Sequence, residues 1–247
     1  MEIKYIDSKS NKLFKYLKNF KKKKYRYEAR CFMIEGIVVL KEALSYSTPL
    51  YTVTTEAMLD QVRAVIDGTI LVVSEALLNE LSDTQSPQGV IAYFPFVHTS
   101  ELPSSGRFIL LDDIQDPGNA GGLIRSADGF NMGVIMTPAC VDIYNPKTVR
   151  STMASIFRTP LIILKSKREL AALKGRFDIV VTDVVDAESS VDFPFKKDTV
   201  VVLGNEAGGV SDDIKAYADA TVRIPTEGID SLNVNVAGSI LMYEMQR

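Results

Sequence analysis

Five nearly uninterrupted apolar runs, "FILLD", "GVIM", "LIIL", "IVVTDVV" and "TVVVLG", lie between residues 108 and 204, with helix-like segments between them. A strand with one face in water alternates apolar and polar residues, whereas a run that is apolar throughout must be covered on both faces. Strands of that kind separated by helices build a mostly parallel sheet with helices on both sides, so the second half of the chain reads as α/β. In open parallel sheets ligands collect at the loops beyond the carboxyl ends of the strands. The loop after each run is therefore where chemistry is expected.

The first half is organised differently. "CFMIEGIVVLKEALS" reads as a strand running into a helix, "LYTVTTE", "TILVVS" and "GVIAYFPF" as strands, and "EALLNEL" as a helix. This small α/β unit covers residues 1–95. "PFVHTSELPSSG" has turn formers and no apolar period, which makes 96–106 a linker and 107–247 a second domain.

Of 247 residues, 46% are hydrophobic, ample for packed cores, and no stretch approaches the roughly 18 apolar residues of a spanning helix. "MEIKYIDSKSNK" lacks the apolar segment of a secretory signal, so no membrane association and a cytoplasmic location are expected. Cys31 and Cys140, far apart and without a CxxC, read as reduced core residues in apolar strand-like runs. With His98 as the single histidine, imidazole-based metal sites and a Ser/His/Asp triad are disfavoured and no metal is expected.

The formal net charge of -3 conceals an asymmetry. Residues 1–30 carry 11 Lys or Arg and 3 Asp or Glu, leaving 17 basic and 28 acidic residues for the other 217. "NKLFKYLKNFKKKKYRYEAR" spaces Leu13, Phe14, Leu17 and Phe20 as one helical stripe within a lysine-rich surface. Such a helix suits a phosphate backbone. A solvated lysine face and a membrane-surface helix give the same pattern.

Three loops of the second half stand out: "LDDIQDPGNAGGLIRSADGF", "VVLGNEAGG" and "RIPTEGIDSLNVNVAGSILMYE". Each is a strand end, a turn rich in Gly, Asn or Pro, and a helix. "GNAGG" has neither dinucleotide-site nor P-loop spacing, which argues against a nucleotide-phosphate cradle. Its glycines are explained by a tight turn and close packing. Arg125 is not: with a helix capped near Asn119, Leu123, Ile124 and Ala127 face the core and Arg125 points elsewhere, to solvent or to a ligand. Ser231 and Asn233 suit a helix N-terminus and, as caps, need no further role.

Together the three loops resemble the SpoU/TrmH family of RNA 2'-O-ribose methyltransferases, in the SPOUT superfamily. The family's Asn-x-Gly-x-x-x-Arg matches Asn119, Gly121 and Arg125, and its Leu-Gly-x-Glu-x-x-Gly matches Leu203, Gly204, Glu206 and Gly209. Ile-Pro followed by Ser-Leu-Asn-Val matches Ile224, Pro225, Ser231, Leu232, Asn233 and Val234. The first half, with "FMIEG" and "SDTQSPQGVIAYF", looks like the RNA substrate-binding domain often fused in front of it.

The resemblance implies a knotted (trefoil), Rossmann-like, mostly parallel sheet with helices on both faces, preceded by a small α/β substrate-binding domain. It implies S-adenosyl-L-methionine as cofactor, RNA as substrate (ribosomal RNA ahead of transfer RNA) and a homodimer formed through the C-terminal domain. A non-catalytic RNA-binding or ribosome-assembly protein on the same fold is the alternative.

It also implies the site. Arg125, Asn119, Glu206, Ser231 and Asn233 are the expected catalytic set. In it Arg125 is held out of bulk water by Glu206 and Asn119, grips an RNA phosphate and stabilises the developing 2'-oxyanion. Gly204, Ile224, Leu232, Thr182, Asp183 and Gly209 are expected to hold the cofactor. Lys12, Lys15, Lys22, Lys23, Arg26, Arg30, Lys147 and Arg150 are expected on RNA. One departure from the family pattern is Met153, where glycine is usual; its side chain is expected either to narrow the active-site loop or to repack it.

Overall fold

In the computed structural model residues 2–229 and 231–247 are described, and their contacts divide the chain into two units: 1–96 with 144–157, and 97–143 with 158–247. The first unit begins with β1 (Glu2–Ile6), a strand that hydropathy does not reveal because only Ile6 in it is buried. After it come α1 (Lys12–Lys18), α2 (Lys23–Ala29), β2 (Cys31–Glu35), α3 (Ile37–Ala43) and β3 (Tyr51–Thr54). The unit continues with α4 (Leu59–Arg63), β4 (Thr69–Val73), α5 (Glu75–Leu81) and β5 (Val90–Pro95). Its sheet has the order β1-β4-β3-β5-β2, with β5 antiparallel to both neighbours.

The basic N-terminal stripe is carried by two helices rather than one. Asn11 caps α1 by accepting from Leu13 and Phe14 N–H at 2.9 and 3.3 Å. The helix ends in a single 3-10 turn over Asn19–Lys21, and Lys22 is extended. A continuous helix would stack Lys18 and Lys21–Lys24 as like charges three and four residues apart, which is unfavourable. It would also consume the carbonyls of Phe20 and Lys21, which instead accept from Arg26 Nη1 at 2.8 and 2.9 Å. Arg26 is only 3% exposed. The expectation that it meets RNA is therefore corrected: it is a buried guanidinium that holds the turn. Lys12, Lys15, Lys22, Lys23 and Arg30 are exposed. Phe14, Leu17 and Phe20 are buried in one cluster with Tyr93, each side chain contributing about 2–3 kcal/mol of apolar burial.

The second unit runs β6 (Arg107–Leu111), α6 (Pro117–Gly129) and β7 (Gly133–Met136). After β7 the chain supplies α7 (Pro146–Thr152), which packs in the first unit, and returns as β8 (Leu161–Ile163), β9 (Asp178–Thr182) and β10 (Glu188–Ser189). β11 (Thr199–Leu203), α8 (Asp212–Lys215), β12 (Ala220–Arg223) and α9 (Val234–Glu244) complete it. The sheet order is β10-β12-β9-β11-β6-β7-β8 and every pair is parallel. Its central strands β11 and β6 are buried on both faces, as the continuous apolar runs require: Val200, Val201, Val202, Ile109, Leu110 and Leu111 have no exposure.

The run "IVVTDVV" is only partly strand. Asp183 Oδ1 accepts from the N–H groups of Val184 and Val185 at 2.7 and 3.3 Å, turning the chain out of the ladder and leaving those two valines 58% and 65% exposed. Cys31 begins β2 and burial pushes its thiol up to about 12. Cys140 sits in a half-buried turn rather than the expected strand, its Sγ 3.1 Å from the Leu111 carbonyl. No helix among the described residues is long and apolar enough to cross a membrane.

Candidate active site

Two helix starts aim the site residues. α6 is capped by Asp116, not by Asn119: Asp116 Oδ1 accepts from Asn119 N–H at 2.8 Å, and Pro117 opens the helix, where its missing donor costs nothing. That frees the Asn119 side chain. α9 is capped by Asn233, whose Oδ1 accepts from Asn235 and Val236 at 3.0 and 3.4 Å and whose Nδ2 is left to donate. The helices pack closely: a Cβ on Gly238 would come 2.3 Å from Leu123 Cδ2, and one on Gly122 would come 2.5 Å from Asn235. Ser126 and Ser239 share a hydroxyl hydrogen bond of 2.8 Å across the pair.

The freed amides meet. Asn233 Nδ2 donates to Asn119 Oδ1 at 3.1 Å, and Asn119 Nδ2 donates to Glu206 Oε1 at 2.7 Å. One chain of hydrogen bonds thus joins three loops far apart in sequence, and the bond to the carboxylate is charge-assisted.

Beside it, beyond the carboxyl ends of β9, β11 and β12, lies a cavity of about 640 Å³ lined by Thr182, Asp183, Gly204, Gly209, Ile224 and Leu232, all six expected at a cofactor. Glu206, Ser231 and Asn233 also line it. The wall formed by residues 204–210 depends on a tight closure. Asn205 and Gly209 exchange backbone hydrogen bonds of 3.0 and 2.8 Å, and a Cβ on Gly204 would fall 2.0 Å from the Gly209 carbonyl carbon, so only glycine fits. The size suits one nucleoside-bearing molecule. Leu203, Val210, Val222 and Leu241 offer apolar surface that could take a flat ring, while Thr182 and Asp183 offer polar groups that could take a ribose. S-adenosylmethionine fits that mixture.

Several lining residues lie outside the sequence motifs. Ala237 and Leu241 follow Val234 at helical spacing and could have been found from it. Lys215 carried no such signal: it reaches the cavity because α8 brings it to Asp183, Nζ to Oδ2 2.6 Å. This bond holds the Asp183 carboxyl below the usual carboxylate range and raises the lysine above its own.

Arg125 departs from expectation. It is exposed, makes no hydrogen bond or ion pair among the described residues and is not part of the cavity wall. Glu206 and Asn119 bond to each other instead of to the guanidinium. The physical reason is position on α6, where Ala120, Leu123, Ile124 and Ala127 take the inward face and leave residue 125 outward.

Lys147 and Arg150 are exposed on α7, Arg150 pairing with Asp83 at 3.2 Å. Met153 is 47% exposed. It ends α7 in the left-handed region at φ +47°, the conformation for which glycine is favoured at such a position.

An all-parallel sheet with a nucleoside-sized cavity at its carboxyl edge, walled by a glycine loop and a capped helix start, defines an α/β protein that binds its ligand at strand ends. The sequence model of the SpoU rRNA Methylase family matches residues 106–243, and the chain belongs to that family. The MRM3-like substrate binding domain matches residues 11–92.

Among relatives, the 23S rRNA (guanosine(2553)-2'-O)-methyltransferase RlmP of Bacillus subtilis is 28% identical, over 99% of this chain and 100% of that protein. The 23S rRNA (uridine(2479)-2'-O)-methyltransferase of Streptomyces viridochromogenes is 28% identical over 90% of this chain and 84% of its own. The AdoMet-bound rRNA methyltransferase of Sinorhizobium meliloti superposes with a TM-score of 0.90 at 27% identity, covering 99% of this chain and 97% of that one.

Proposed function

We propose that this protein is an S-adenosylmethionine-dependent 2'-O-ribose methyltransferase acting on ribosomal RNA in the cytoplasm. The observation that carries the reading is the Asn233–Asn119–Glu206 hydrogen-bond chain at the edge of a nucleoside-sized cavity. Three separate loops converge there, each bringing the polar residue of one family motif. The rRNA named for the relatives above favours ribosomal over transfer RNA as the substrate.

When bound, S-adenosylmethionine supplies an electrophilic methyl group on a sulfonium. Gly204, Gly209, Ile224 and Leu232 would hold it through backbone groups and aliphatic contact, with Thr182 and Asp183 offering polar groups beside them. Glu206, fixed by Asn119, presents a carboxylate at the edge of the same cavity, while Ser231 and Asn233 position the substrate ribose. A 2'-hydroxyl is hardly ionised at neutral pH, so as its proton passes to an oxygen of the neighbouring RNA phosphate a cation would stabilise the oxygen left behind. Arg125 takes that role. Being exposed, it receives its partner from outside the chain, an RNA phosphate beside the reacting ribose.

The homodimer belongs to this reading. Val236 and Tyr243 on α9 are 46% and 56% exposed, on the helix that packs against α6, which carries Arg125. A second copy on this face would cover them and bring the arginine under cover. The family's trefoil knot is part of the same reading, supported by Gly204, Glu206 and Gly209 walling one cavity with Ile224, Ser231 and Leu232. Exposed Lys12, Lys15, Lys22, Lys23, Arg30, Lys147 and Arg150 serve the RNA backbone.

Calorimetric titration with S-adenosylhomocysteine tests the cofactor assignment, and ribose-methylation mapping of rRNA from cells with and without the gene tests the substrate. Absence of binding to folded protein would leave a non-catalytic RNA-binding protein in its place. A methyl group lost from transfer RNA instead would move the substrate.

A further inference from the structure

Behind the cavity wall lies a cluster of charges that the proposed chemistry does not use. Asp112, 1% exposed, and Asp113 follow the first strand of the second unit side by side, and Lys167 places its Nζ 2.7 Å from Asp112 Oδ1 and 2.7 Å from Asp113 Oδ2. Lys167 also donates to Ser211 Oγ at 3.0 Å. Asp112 Oδ1 has no well-directed hydrogen bond, so what compensates its burial is the charge of the ammonium.

Both ends of the cofactor loop are fastened to this aspartate pair. Asn205 Nδ2 donates to the Asp113 carbonyl at 2.8 Å, and Ser211 N–H donates to Asp112 Oδ2 at 2.7 Å. Between those two points lie Glu206, Gly208, Gly209 and Val210, which line the cavity. Asp113 itself is at φ +57°, a left-handed conformation that is strained for a non-glycine residue. Thr137 holds it there, accepting from Asp113 N–H at 3.0 Å and donating to its carboxylate at 2.6 Å.

The geometry assigns Lys167 as a positioning residue for the cofactor: by placing one positive charge between Asp112 and Asp113 it offsets their repulsion and keeps their backbone in the conformation to which both ends of the 204–211 wall are tied. Without the ammonium two adjacent carboxylates repel, one of them buried. Rotation of residue 113 out of the left-handed region relieves that repulsion and moves the carbonyl that anchors Asn205. The inference rests on the methyltransferase reading, since it presumes that the cavity holds S-adenosylmethionine.

The test is calorimetry of S-adenosylhomocysteine binding to the full chain, with circular dichroism to establish the folded fraction. Lys167→Met is expected to weaken binding about tenfold, the loss of one charge-assisted attachment, and to raise KM for S-adenosylmethionine by more than kcat falls. Lys167→Arg, which keeps the charge, is expected to recover most of the affinity. Lys167→Met/Asp113→Asn, which removes the repulsion along with the ammonium, is expected to bind better than Lys167→Met alone and keeps the test open if the single variant unfolds.

Unchanged affinity in Lys167→Met overturns the proposal. So does a loss that neither the arginine nor the double variant recovers, which is the signature of packing. Failure of the wild-type protein to bind S-adenosylhomocysteine is a different result: it removes the methyltransferase reading, and this inference with it.

Discussion

Arg125 and Met153 show why single residues carry different information in sequence and in space. Arg125 is recognisable as a functional residue only through its place in the Asn119–Gly121–Arg125 spacing; its geometry within one chain is that of a solvated side chain. Arg125→Ala is therefore expected to leave stability within about 0.5 kcal/mol of wild type, as for other exposed substitutions, and to leave S-adenosylhomocysteine affinity unchanged. Methylation of rRNA should fall below detection. Equal loss of binding and turnover, measured by calorimetry and a tritium-transfer assay, would contradict that division of roles. Met153 is the reverse case. The departure from the family glycine has a backbone consequence, since φ at this helix end is +47°. Met153→Gly is expected to raise stability to urea by about 1 kcal/mol by relieving the left-handed strain, with little burial lost from a side chain already 47% exposed.

At the scale of elements, the parallel sheet was legible because burial on both faces leaves a direct mark, a run without polar positions, and all five runs contain strand. Elements that depend on context were not. β1 pairs with β4 through its backbone while exposing most of its side chains, and the N-terminal stripe breaks into two helices at carbonyls that Arg26, five and six residues further on, claims. Gly204, Glu206, Gly209, Ile224, Ser231, Leu232 and Asn233 of the cavity wall were legible as motifs, whereas the charges behind the wall were not, since Lys167 is 54 residues from Asp113. Those charges have a pH signature. Burial works against the ionised form of Asp113, but hydrogen bonds from Lys167 and Thr137 outweigh it and hold the carboxyl below its ordinary value. Burial likewise opposes the Lys167 ammonium and is outweighed by Asp112 and Asp113, leaving the lysine above its ordinary value. A depressed carboxyl stabilises the fold above its unfolded value, about 3.9, and loses that contribution as pH falls through the folded value. A raised lysine stabilises below about 10.4 and loses its contribution as pH rises through the folded value. The difference in melting temperature between wild type and Asp113→Asn is thus expected to be flat from about pH 5 to 9 and to shrink below about pH 4. A difference that persists unchanged at pH 2 would exclude the ion pair as its source.

Across the whole molecule the charge is divided, with the excess of lysine confined to the first 30 residues and the excess of acid distributed over the rest. Deleting that segment is the obvious way to ask whether it grips RNA, but Phe14, Leu17 and Phe20 are each 1% exposed in the core of the first unit and β1 is part of its sheet, so deletion would remove the fold along with the charge. The charge can be removed alone. Lys12, Lys15, Lys22 and Lys23 are exposed, so changing all four to Gln alters the surface and spares the core. If each neutralises one phosphate, the slope of log affinity against log salt becomes shallower by about 0.7–0.9 per lysine, or roughly 3 for the set. Binding of an rRNA fragment should therefore weaken strongly at low salt and converge with wild type as salt rises, while S-adenosylhomocysteine binds both proteins alike. A slope identical to wild type would mean that the lysines are a solvated face, and the RNA contact would then have to be sought among Arg30, Lys147 and Arg150, which the fold assigns to the same unit.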